Sequence, residues 1–176
     1  ALSPYSLNAI DSHTGVLFWK FITNKRTMGV PAISKNGLIY FADGEYIRAL
    51  DENTGTIVWK QGVGYSNTIR IVDASSKIVL AHSVANAIFA YDALTGDLLW
   101  RIPVGRGLIN AVIDDRNETV CIFDHGLNAV NAISGRSAWQ RVSDIEGLYE
   151  NGILYTTDNT GIRALDPKTG STIWQS

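Results

Sequence analysis

Residues 162–175 read IRALDPKTGSTIWQ, and the same frame occurs four more times in the chain. LNAIDSHTGVLFWK occupies 7–20, IRALDENTGTIVWK 47–60, IFAYDALTGDLLWR 88–101 and LNAVNAISGRSAWQ 127–140. The shared positions are an Ala, an Asp or Asn two residues on, a Thr or Ser, a Gly and a closing Trp. Every tryptophan of the chain closes a copy: Trp19, Trp59, Trp100, Trp139 and Trp174, at spacings of 40, 41, 39 and 35 residues. Gly15, Gly55, Gly96, Gly135 and Gly170 keep those spacings. A period of this length marks a solenoid, an array or a propeller.

Each copy reads as strand, tight turn, strand. In residues 46–60 the alternating segments YIRAL and TIVWK flank the turn cluster DENTG,. An Asp at the turn start can accept backbone amides two or three residues on, and the Gly permits a left-handed backbone conformation. The repeated carboxylates are therefore expected to form turns rather than bind metal. A looser hairpin lies between copies, signalled by Asn36-Gly37 and Asn151-Gly152 and by the longer turns near Asp73 and Asp114,. Four short antiparallel strands per repeat describe a propeller blade. The expected fold is all-β, with whole blades at 24–60, 64–101, 105–140 and 143–175 and an N-terminal half blade at 5–20. The closing Trp of each blade is expected to cover the gap to its neighbour, with the indole N–H on a backbone acceptor.

The motif Ala-x-Asp-x-x-Thr-Gly-x-x-x-Trp resembles the tryptophan-docking repeat of the quinoprotein-like propellers, and the resemblance spans essentially the whole chain. That group includes pyrroloquinoline-quinone alcohol dehydrogenases and a non-enzymatic barrel-assembly lipoprotein, which this chain resembles more. Asn131 and Ser134 depart from the pattern while keeping its turn chemistry. The resemblance implies a ring of up to eight blades placed outside the cytoplasm. Four and a half blades fall short of it, which predicts a partial or open ring, either a segment of a larger propeller or an array that pairs through open blade edges; the alternative is a small closed ring whose fifth blade has two strands. The first residue is Ala1, which fits a processed product or an excised piece.

Composition excludes several classes. Of 176 residues, 15 are basic and 17 acidic, with no basic run to bind nucleic acid,. No apolar run approaches the roughly 18 residues that span a bilayer as a helix. Cys121 is alone, so no internal disulfide forms, and its apolar surroundings suggest a buried small side chain,. The adjacent-cysteine disulfide of the resembling dehydrogenases is thereby absent, and no cofactor or metal is expected. His13, His82 and His125 share no metal-ligand spacing and read as surface residues. The sequon at Asn117 lies in an expected turn,.

The reading that remains is a non-catalytic interaction or ligand-sensing module. Its alternatives are a quinoprotein dehydrogenase fragment and an assembly module joined through its ends. The links between strands fall on one rim, which would carry Asp43, Glu45, Tyr65, Asn67, Arg106, Asp124, His125, Asp158 and Asn159,. Arg70 and Asn110 lie on expected innermost strands, where they can line a central channel. A protein or peptide is the expected partner of this mixed polar patch.

Overall fold

The alternating segments fold as strands throughout. The protein is represented by a computed structural model that describes residues 2–3, 5–23, 25, 27–44, 46–63, 69–83, 86–105, 110–142, 146–158 and 161–176. The first sheet holds β1 (Leu2–Ser3), β2 (Ser6–Ile10) and β3 (Leu17–Ile22), so a short third strand joins the expected hairpin. Next come β4 (Thr27–Ile33), β5 (Leu38–Asp43), β6 (Tyr46–Asp51) and β7 (Ile57–Gly62). The third sheet is β8 (Ile69–Ala74), β9 (Ile78–Ser83), β10 (Ala87–Asp92) and β11 (Leu98–Pro103). The fourth is β12 (Asn110–Asp114), β13 (Thr119–Phe123), β14 (Leu127–Asn131) and β15 (Ser137–Arg141). The last is β16 (Glu146–Glu150), β17 (Ile153–Asp158), β18 (Gly161–Leu165) and β19 (Thr172–Gln175). Strands lie in sequence order within every sheet. The five sheets are successive blades of an open propeller ring, with β4, β8, β12 and β16 innermost and side by side.

The second strands β5, β9 and β13 are buried along their whole length, because each blade is packed on both faces,. The core is therefore a series of layers between blades. Tyr40, Ala49 and Trp59 meet Val79, Phe89 and Tyr91 in one layer. Leu80, Ala90 and Trp100 meet Ala111, Val120 and Val130 in the next.

The repeat motif builds the joints between these layers. In the second copy the Asp51 Oδ1 accepts from the amides of Asn53 and Thr54 at 3.0 and 2.8 Å and from the Thr54 hydroxyl at 2.9 Å. The Gly55 amide donates to the Asp51 carbonyl at 2.9 Å, and Gly55 has φ +69°. A register shift follows between Ala49 and Leu50, and every copy has the same bulge,. These turns form seats. The Trp19 ring lies on Gly55, and its indole nitrogen donates to the Glu52 carbonyl at 2.9 Å. Trp59 sits likewise on Gly96 with the Ala93 carbonyl, Trp100 on Gly135 with Ala132, and Trp139 on Gly170 with Pro167, at 2.9, 2.8 and 3.0 Å. Each tryptophan thus locks its blade onto the next one. A side chain at the seat glycine would strike the ring: a Cβ on Gly96 would fall 2.6 Å from Trp59.

No helix among the described residues is long and apolar enough to cross a membrane.

Candidate functional site

The four innermost strands converge on a cavity of about 1320 Å³. Gly29 and Val30 come from β4, Arg70 to Val72 from β8, Asn110 from β12, and Glu146 to Leu148 from β16. Phe123, Asp124 and His125 reach it from the end of β13 and the link after it. Tyr155, Ile162 and Trp174 form the wall contributed by the last blade. The cavity combines an apolar wall with a few polar groups, the usual composition of a recognition site.

The polar groups are held by local structure. Arg70 pairs in register with His82 across β8 and β9. His82 is buried, contrary to its expected surface place, because it lies on a second strand packed between blades. Burial lowers its pKa, and Arg70 pushes in the same direction,. Its Nε2 meets no hydrogen-bond partner among the described residues. Asp124 is pinned from two sides: Oδ2 accepts the Gly105 amide at 2.8 Å and Oδ1 lies 2.9 Å from the His125 Nδ1. His125 itself stands out from the surface, with 80 % of its side chain exposed and φ +52°. The Asn110 amide nitrogen donates to the Gly147 carbonyl at 3.3 Å, tying two innermost strands together. Gly147 is tightly enclosed, since a Cβ there would lie 2.5 Å from both the Phe123 ring and the Tyr155 carbonyl.

At the far ends of the inner strands the blades are stapled again. Asp73 Oδ2 accepts the Ile113 amide at 2.9 Å, and burial raises its carboxyl pKa. The Tyr149 hydroxyl donates to Asp114 Oδ1 at 2.6 Å, and burial together with that carboxylate pushes the phenol up to about 12.

Four of the expected site residues therefore gather at the axis: Arg70, Asn110, Asp124 and His125. Asp43 and Asp158 do not. Both end a second strand and are buried, Asp43 paired with Arg48 at 2.8 Å and Asp158 paired with Arg163. The pairing partner lies five residues on in each case, so these carboxylates close a strand link. Glu45, Tyr65, Asn67, Arg106 and Asn159 lie outside the described residues. The sequence reading did not place Glu146, Leu148, Tyr155 or Trp174 at the cavity.

These side chains offer hydrogen-bond donors and acceptors beside an apolar wall. Among the described residues no group of three His, Cys, Asp or Glu side chains is placed to hold a metal ion. The Cys121 thiol is buried and pushed up to about 12, so little of it is thiolate at neutral pH,.

The profile described as outer membrane protein assembly factor BamB matches residues 43–176. The chain belongs to the BamB family. The crystal structure of BamB from Moraxella catarrhalis superposes with a TM-score of 0.73 at 18% identity, over 92% of this chain and 56% of that one. In sequence, this BamB-family chain is 26% identical over 155 residues to the outer membrane protein assembly factor BamB of Legionella pneumophila, covering 79% of the chain and 40% of the relative. It is also 26% identical to a tetrathionate hydrolase of Acidithiobacillus ferrooxidans, over 94% of the chain and 39% of that protein. A serine/threonine-protein kinase, AfsK of Streptomyces coelicolor, is again 26% identical, over 89% of the chain and 20% of the kinase. The chain thus spans two fifths or less of each of these curated relatives.

Proposed function

We propose that this propeller segment is a non-catalytic platform outside the cytoplasm that recognises a protein partner, with an extended peptide taken at the axial cavity. The observation that carries this reading is the cavity itself. Rigid inner strands present Arg70, Asn110, Asp124 and His125 beside the apolar wall of Leu148, Tyr155 and Trp174. Backbone amides and carbonyls of an extended segment match such donors and acceptors, while apolar wall residues take alternate side chains. Membership in the BamB family supports a role in binding or assembling proteins, and the Legionella relative, an outer membrane protein assembly factor, supports placement outside the cytoplasm. The hydrolase and kinase share only this segment with the chain, and their names bring no chemistry to its residues.

Selection of short random peptides on the purified chain tests the reading. Peptides so selected are expected to lose at least about tenfold in affinity for Arg70→Ala and Asn110→Ala, a loss of about 1.4 kcal/mol or more. Binding that survives both substitutions unchanged would move the site away from the axis. Stoichiometric binding of pyrroloquinoline quinone in the presence of calcium would contradict the non-catalytic reading.

A further inference from the structure

The second and third strands of a blade carry a charge pair that one blade leaves incomplete. In the blade of β4 to β7, Asp43 ends the second strand and pairs with Arg48 of the third at 2.8 Å. In the blade of β16 to β19, Asp158 pairs with Arg163 in the same way. Strand register fixes the equivalent positions, because Arg48 and Arg163 lie opposite Phe41 and Thr156, each two residues before its aspartate. By that register β9 and β10 carry Ser83 and Phe89, with neither charge. Strands β13 and β14 carry Asp124 and Asn128, the acid without its arginine.

Asp124 is also presented differently. The side chains of Asp43 and Asp158 are 2% and 4% exposed, whereas that of Asp124 is 17% exposed and lines the axial cavity. Its place there is built. The Gly105 amide and the His125 ring each engage one oxygen, and a Cβ on Gly105 would fall 2.7 Å from the Asp124 Oδ1 and 2.8 Å from the His125 Cε1. An ionised carboxylate has about four acceptor positions, so these contacts leave capacity for a further donor. Among the described residues that line the cavity, Arg70 is the one permanent cation, set against the carboxylates of Asp124 and Glu146. The lining is left with an excess of negative charge.

We infer that Asp124 takes a basic side chain of the partner, Arg or Lys, in the place that an arginine of its own blade would fill. The inference rests on the reading that the axial cavity binds a peptide. The partner's cation completes from outside the pair that two other blades make within themselves.

Three pools of end-blocked pentapeptides, random except for a central Arg, Ala or Glu, test it by fluorescence anisotropy on the whole chain. The Arg pool is expected to bind at least about tenfold tighter than the Ala pool, with the Glu pool weakest. The preference should shrink as salt rises. Asp124→Asn keeps an acceptor for the Gly105 amide and removes the charge. Asn128→Arg leaves every cavity residue in place and restores the internal arginine. Both should abolish the preference, while Ser137→Arg, which adds the same charge on the exposed outer strand β15, should retain it. Pools that bind alike and weaken with Asn110→Ala overturn the inference and leave the axial reading standing. A preference for Arg that either folded variant of Asp124 or Asn128 retains also overturns it. Pools that do not bind at all overturn both. Circular dichroism establishes folding, and the wild-type ranking with either folded variant decides the matter.

Discussion

At the scale of single residues, the motif aspartates are held by their own turns. The hydroxyl and amide of Thr54 keep the Asp51 carboxyl below the usual carboxylate range, and the amide and hydroxyl of Thr14 do the same for Asp11,. A carboxylate with a folded-state pKa below its unfolded value adds stability that is complete above the unfolded value. That stability is lost as pH falls through the folded one. Asp43 and Asp73 carry the opposite sign, because burial raises them and acid relieves the strain of their charge. The contribution of Asp51 is best read as a difference. Asn131 shows that an amide can make the same turn, accepting the Ser134 amide and hydroxyl at 2.9 Å each. Asp51→Asn should therefore cost a little stability at pH 7, and the gap from wild type should narrow at pH 3,. Urea midpoints at the two pH values measure it, and a gap of equal size at both would remove the carboxylate from the account.

The blade and its joint are the next scale. Most of this was legible in the sequence, because each determinant is local: Asp to its own amides, Gly in a left-handed turn, strand alternation, and a Trp at a fixed offset. What was not legible depends on three-dimensional company. His82 reads as a surface residue on its own strand, but the neighbouring blade buries it. Asp43 reads as a loop carboxylate, yet Arg48 returns five residues later to pair with it under cover. The glycines separate the two influences, conformation and contact. Gly15→Ala incurs backbone strain alone, about 1–2 kcal/mol, since nothing surrounds its Cβ,. Gly96→Ala has a similar φ and adds overpacking against Trp59 of about 1–3 kcal/mol,. Denaturant unfolding of the two variants under dilute conditions should rank Gly96→Ala clearly below Gly15→Ala. Equal losses would mean that the seats carry no packing energy.

On the scale of the molecule, one joint repeated along an arc produces the axis and its cavity. The axial site was only half visible beforehand. Arg70 and Asn110 stood out as polar residues on strands expected to be innermost, but the wall of Leu148, Tyr155 and Trp174 belongs to a face that no local pattern reports. Trp174 belongs to the cavity wall, and among the described residues its ring lies on no motif glycine. Hydrogen exchange of the five indole N–H groups, resolved by NMR with single Trp→Phe variants for assignment, tests the joint most directly. In the dilute monomer, the indoles of Trp19, Trp59, Trp100 and Trp139 should exchange at least about tenfold more slowly than a free indole, and that of Trp174 should exchange as if free. Five indoles exchanging alike, whether all protected or all open, would contradict the arrangement of four seated tryptophans and one exposed one.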